Sequence, residues 1–380
     1  MYIDSKLPRV ATSIFSVMSK MSGEYDALNL SQGFPNFESD PVLIEAVSKA
    51  MKDGFNQYAP MPGDTDLRKA IAHKFMLLYG RTYSADEEIT VTAGATQAIF
   101  TAIAATIKRN DEVIIFAPAY DCYQPTIELF GGKTVSVQLM APQYRPSWEE
   151  VAERITSKTR MIIVNSPHNP SGMTFSENDM LQLEALAIKH NLWVISDEVY
   201  EHIIFDGKKH FSAASFTDLA ARTFITASFG KTFHNTGWKM GYCVAPKILT
   251  QEFRKVHQYN VFSVNHPMQK ALAIYLSDAQ NYLSIANFYQ NRRDYFLSLM
   301  KDSRFKIIPS SGTYFQLLDF STISSEGDVD FAERLTKKHK IATIPTSVFN
   351  ARKEDFQQIR VCFAKTKETL KAAASILTRI

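Results

Sequence analysis

From residue 88 onward, short apolar runs rich in β-branched residues alternate with longer stretches of helical spacing. The runs read EITVTAG, DEVIIFAP, TVSVQLM, RMIIVNSP, LWVISDE, TFITASFG and GYCVAP. Between several of them the apolar spacing predicts helices, among them residues 96–108 and 177–190. Strands that are apolar on both faces and separated by helices predict a mainly parallel sheet covered on both sides. Past Pro246 the pattern changes. Long helical stretches over about 247–302 lead to the short strands GTYFQLLDF, IATIPTS and IRVCFAK and a last helix. That change marks a second, smaller α+β lobe.

The chain has 380 residues, beyond the size at which a single core stops growing, so two lobes are expected. Its 45% hydrophobic and 21% charged residues are those of an ordinary soluble globular protein. A net charge of +3 without basic clusters argues against nucleic acid and against a membrane surface. No apolar run approaches a membrane span, and MYIDSKLPRVATSIFSVMSK lacks the plan of a signal peptide. Cys122, Cys243 and Cys362 are too few and too far apart to suggest a disulfide framework or a cysteine zinc site. A cytoplasmic setting is expected.

Ligands of open α/β sheets sit beyond the carboxyl ends of the strands, and most polar oddities of this chain fall there. LWVISDEVY ends an apolar strand in Asp197, with Tyr200 three residues on. Taken alone, such an aspartate is usually a cap or half of a salt bridge. NSPHNPSG follows another strand and reads equally well as a rigid structural turn. TAGATQAIF runs through Gly94 into a helix, which places the amides of Ala95 and Thr96 at a ready anion site. SFGKTFHNTGWKMGY carries Lys231 and Lys239 with no acidic neighbour. Its GKT is not a P-loop, because position 225 is isoleucine where that motif needs glycine. Neither HExxH nor GxSxG occurs.

Together these weak signals describe one ligand: a phosphorylated aromatic aldehyde with a ring nitrogen. The helix start, Ser228 and Lys239 would hold the phosphate, and Lys231 would bond the aldehyde. Asp197 would meet the ring nitrogen, Asn169 and Tyr200 the ring hydroxyl, and Tyr120 would stack on the ring.

The order GAT, PAY, NSPHNPSG, SDEVY, SFGKTFHNTGWKMGY and IRVCFA resembles the class I and II aminotransferases, pyridoxal-phosphate enzymes of fold type I. The likeness extends from LNLSQGFPNF to RVCFAK, and QYAPMPG, SFGKTFHNTGWK and IPTSVF are most similar to the bacterial methionine branch, then to the kynurenine/glutamine branch. The resemblance implies an α/β fold with a large domain at 46–280, a small α+β domain at 281–380, and an N-terminal segment 1–45 that contributes to the small domain and the active site.

It also implies roles. Lys231, Asp197 and Tyr200 would be catalytic. Pyridoxal 5'-phosphate would be held by Ala95, Thr96, Tyr120, Asn169, Asp197, Tyr200, Ser228, Lys231 and Lys239, with Tyr58 arriving from a second subunit of a homodimer with shared active sites. Arg360 would grip the substrate's alpha-carboxylate, with Asn169 and the backbone of Gly33 beside it. A strand arginine is otherwise more often a surface salt bridge. Phe15, Phe34, Tyr58, Tyr120 and His234 are candidates for the side-chain pocket. The expected reaction moves the amino group of methionine, an aromatic amino acid, kynurenine or glutamine to a 2-oxo acid. A β-lyase on the same scaffold is the alternative, and a ligand-binding domain of a transcription regulator is a third reading that would need an attached DNA-binding module.

Overall fold

The computed structural model describes residues 3–380. Its strands, in chain order, are β1 (Leu28–Asn29), β2 (Ile89–Thr92), β3 (Glu112–Ala117), β4 (Lys133–Gln138), β5 (Thr159–Asn165), β6 (Trp193–Asp197), β7 (Thr223–Ser228), β8 (Gly241–Val244), β9 (Phe315–Asp319), β10 (Ile341–Ala342), β11 (Ile344–Pro345) and β12 (Gln358–Cys362). All ten of the apolar runs read from the sequence are strands.

Seven of them form the central sheet in the order β2-β8-β7-β6-β5-β3-β4. All its pairings are parallel except those of β8, which runs antiparallel to both β2 and β7. The sheet is apolar on both faces because helices cover both. On one face Ile99, Ile103, Leu249 and Phe253 pack against Val113, Ile115, Ile195 and Phe224. On the other, Leu67, Ile71, Leu183 and Leu272 pack against Ile114, Ile162, Val194 and Ile225. Local signals agree with the elements: helix Glu177–Lys189 starts in a Ser176/Asp179 capping box. The predicted helix at 96–108 runs Ala95–Thr106.

The second lobe holds the antiparallel sheet β11-β12-β9 and its own apolar core. Helices Lys247–Asn260 and His266–Leu276 do not belong to it. They pack on helices Ala95–Thr106, Pro41–Lys52 and Thr65–Tyr79 of the large lobe, so the sequence pattern changes at Pro246 before the packing does. The N-terminal segment joins the small lobe, where β1 pairs in parallel with β10 and Met18 and Leu30 enter its core. Among the described residues no helix is long and apolar enough to cross a membrane.

Candidate active site

Register decides what gathers at the sheet's edge. Asn165, Asp197 and Thr226 are neighbours across β5, β6 and β7, and Ser228 faces Gly241 across β7 and β8. These strand ends open into a cleft between the lobes. Gly33, Ala95, Thr96, Tyr120, Asn169, Asp197, Tyr200, Ser228, Lys231, Lys239 and Arg360 all line it. Of the cofactor- and carboxylate-binding residues expected from sequence, Tyr58 alone lies outside this chain's cleft. Its side chain projects into solvent, 81% exposed, against the edge of Phe262.

One end of the cleft is built for an anion. Gly94 sits at the N-terminus of helix Ala95–Thr106 with φ 82°, and no side chain caps that end. The first helical amides therefore point into the cleft unpaired. A Cβ on Gly94 would lie 3.3 Å from Lys239 Nζ, which places the ammonium against the helix start. Gly241 lets β8 approach: a Cβ there would come within 2.6 Å of the Ala227 carbonyl and 2.9 Å of the Ala95 amide.

The middle holds Asp197, 3% exposed. Tyr123 donates its hydroxyl to one carboxylate oxygen at 2.5 Å, and the Val199 amide donates to the other at 3.3 Å. Burial pushes its carboxyl up to about 6, because these contacts do not replace the lost water. Asn165 ties the neighbouring loops together, donating to the Asp197 carbonyl at 2.9 Å and accepting from the Asn169 amide at 2.8 Å. Tyr200 is buried, edge-on to Tyr314 at 5.3 Å.

Lys231 faces Asp197 from the turn after β7. Burial lowers its amine to about 8, helped by the nearby charges of Lys239 and Arg360 and opposed by Cys362 and Asp197. Arg360, 1% exposed, lies 3.8 Å over the Phe315 ring. It donates to the Asn169 side-chain oxygen at 2.7 Å and to the Ser31 carbonyl at 3.0 Å, while its buried Nε has no partner. An unpartnered guanidinium nitrogen beside a cleft suits a carboxylate, which arginine binds through two parallel bonds.

Of the pocket candidates, Phe15 and Tyr120 line the cleft and Phe34, Tyr58 and His234 do not. His234 turns away because its backbone is left-handed, φ 60°. Its ring stacks on Phe288, with Nδ1 hydrogen-bonded to the Tyr289 hydroxyl at 2.8 Å. Sequence reasoning missed Asn165, Phe315 and Tyr123. Tyr123 stands in the same YDCY run as Tyr120, and that repeat of tyrosine was the one available signal.

A buried carboxylate, a lysine with a lowered pKa, an uncapped helix start beside a second lysine, and an orphaned arginine nitrogen share one cleft of an α/β sheet. This donor set fits a phosphorylated pyridine aldehyde end to end, and the fold is that of the fold type I pyridoxal-phosphate enzymes. The comparisons narrow the class. Residues 25–377 match the family model for aminotransferase class I and II, and the chain belongs to that family, which depends on pyridoxal phosphate.

A methionine aminotransferase from Escherichia coli is 46% identical over 377 residues, 99% of this chain and 98% of that one. A solved structure of an E. coli protein with methionine aminotransferase function superposes with a TM-score of 0.98 over 100% of both chains, also at 46% identity. A kynurenine–oxoglutarate transaminase from Dictyostelium discoideum is 34% identical over 97% of this chain and 94% of its own length. These relatives are transaminases, and the β-lyase alternative is not favoured.

Proposed function

We propose that this aminotransferase takes methionine, and less efficiently aromatic amino acids, as amino donors to a 2-oxo acid. The observation that carries this reading is the cleft itself. The cations that line it are Lys231, Lys239 and Arg360, and its side-chain end is aromatic, with Phe15, Tyr120 and Phe315. Thioethers contact aromatic rings favourably. The 46% identity to the E. coli methionine aminotransferase supports the same choice.

When bound, pyridoxal phosphate supplies the aldehyde that takes up the amino group and a ring that withdraws electrons from the alpha carbon. The amides of Ala95 and Thr96, the hydroxyls of Thr96 and Ser228, and Lys239 would anchor the phosphate. Asp197 would ionise opposite the ring nitrogen and hold its proton. Tyr200 and Asn169 would orient the ring oxygen, with Tyr120 stacked on the ring. Arg360 would fix the substrate carboxylate, with Asn169 and the Gly33 backbone beside it. Lys231, uncharged for part of the time near neutral pH, would take up the proton that leaves the alpha carbon.

The exposed Tyr58 and Phe262 support a homodimer in which Tyr58 reaches the phosphate of a second copy's cleft. The three free cysteines support a cytoplasmic setting.

The experiment is a donor panel against one shared 2-oxo acid. An aspartate side chain would leave its carboxylate without a cation in an apolar pocket, so kcat/KM for aspartate falls at least about a hundredfold below that for methionine. Equal values would reveal a second carboxylate site and overturn the reading.

A further inference from the structure

The amine of Lys231 has one hydrogen-bond acceptor among the described residues, the carbonyl of Gly33 at 3.3 Å. That carbonyl is already engaged: the hydroxyl of Tyr314 donates to it at 2.6 Å. The Tyr314 ring also lies 5.7 Å from the Lys231 nitrogen. Tyr314 is fully buried between Tyr200, Tyr289 and Phe315, with ring centroids at 5.3, 5.6 and 4.9 Å, so neither its ring nor its hydroxyl has room to move. Gly33 is equally fixed. A Cβ there would strike the Phe315 ring at 2.6 Å, and the flanking carbonyls of Ser31 and Phe34 are held by Arg360 and Lys365 at 3.0 and 2.9 Å.

We propose that Tyr314 is a positioning residue for the catalytic lysine: by sharing the Gly33 carbonyl with the Lys231 amine, its hydroxyl docks the freed amine beside the cofactor in the uncharged form. The physical reason is a competition. An ammonium carries three N–H donors and is costly to bury with few acceptors, whereas a neutral amine is content with one weak bond. A short O–H donation occupies one side of the carbonyl and leaves a poorer acceptor for the ammonium. The other groups facing Lys231 are Asp197 on β6, Lys239 on the turn before β8, and Arg360 and Cys362 on β12. Removing the hydroxyl of Tyr314 deletes none of these groups, and the same hydroxyl also neighbours Tyr200, Arg360 and Cys362.

The inference rests on Lys231 being the cofactor-linked lysine, and the test separates the two. Borohydride reduction of the full-length protein loaded with pyridoxal phosphate marks the linked lysine. A mark away from Lys231 would overturn that assignment. The protein loaded with pyridoxamine phosphate, which has no aldehyde, leaves Lys231 free. Its acetylation by acetic anhydride can then be followed against pH by peptide mass. In Tyr314→Phe, which keeps the ring, the midpoint for Lys231 moves up by at least about half a pH unit. Tyr289→Phe loses a buried hydroxyl bond of similar kind, to His234, and leaves the midpoint where it is in wild type. Coincident midpoints in wild type and Tyr314→Phe, or an equal shift in Tyr289→Phe, would overturn the inference while leaving the proposed function intact.

Discussion

The turn from Asp197 to Glu201 has two sides, and they handle charge in opposite ways. Behind it, Glu201 and Lys74 form an ion pair, each side chain at most 3% exposed. Tyr242 donates to Glu201 at 3.0 Å, Tyr79 donates to its other oxygen at 2.6 Å, and Lys74 donates to the Tyr242 hydroxyl at 2.6 Å. Burial alone would raise the Glu201 carboxyl, but Lys74 holds it well below the usual carboxylate range. Glu198 is likewise met by Ser196, His210 and the Ala213 amide. In front of the turn, Asp197 has two donors and a raised carboxyl, Arg360 keeps a bare Nε, and Lys239 forms no ion pair among the described residues. A protein that satisfies its charges this thoroughly on one side can do so on the other. The cleft side leaves its charged groups open.

Five substitutions test that contrast. Lys231→Ala removes the residue no other group replaces, and turnover falls on the order of ten-thousandfold while cofactor binding survives through the phosphate and ring contacts. Steady-state kinetics and equilibrium dialysis check both halves, and turnover within about tenfold of wild type would place the chemistry on another lysine.

Lys74→Met leaves Glu201 as an unpaired buried charge and costs about 3–5 kcal/mol of stability. Lys239→Met, in the cofactor-free protein, costs less than about 1 kcal/mol because no chain partner is abandoned. Urea unfolding of the two variants compares them directly; equal losses would erase the distinction between the two sides.

Asp197→Asn keeps a hydrogen-bonding group but loses the charge proposed to face the ring nitrogen, and kcat drops about a hundredfold. The same residue gives a pH signature. Its carboxyl stands at about 6 in the cofactor-free fold against an ordinary 3.8, so the contribution is present below the lower value and lost as pH rises through the higher one. Wild type therefore loses stability relative to Asp197→Asn as pH rises from about 4 to about 6.5. A flat difference would mean that the chain itself compensates the charge.

The smallest effect concerns Asn235, 4% exposed, whose side-chain nitrogen and oxygen both lack partners. Asn235→Leu relieves that desolvation and raises stability by about 1 kcal/mol, read as an increase in Tm. A decrease would show that a water or ligand satisfies the amide.

The strands and the predicted residues that line the cleft were legible in the sequence for a local reason. Each sits in a run of a few residues where an apolar strand ends in an out-of-place polar group, as in LWVISDEVY or SFGKTF. What was illegible depends on residues far apart in the chain. Lys74 looks like any surface lysine of a helix until the fold brings it to Glu201 and Tyr242. Tyr314 in GTYFQLLDF reads as one more aromatic of a strand, and its hydroxyl acquires meaning only opposite Gly33, 281 positions earlier. His234 shows the converse: it was one of five candidates for the side-chain pocket, which no spacing ranked, and its left-handed backbone accompanies a ring that lies outside the cleft.

Segment 28–34 meets early residues through the Gln32 side chain, which donates to the Phe15 carbonyl and to Ser19, but its strand partner comes late in the chain. It pairs with β10, receives the Cys362 amide on the Leu30 carbonyl, and is held by Lys365 at Phe34. During synthesis at about 5–20 residues per second, on the order of half a minute separates the emergence of the two strands. The large lobe has its sheet residues well before then and can begin to bury them. The part of the cleft lined by Gly33 and Arg360 is complete only once the last strand arrives.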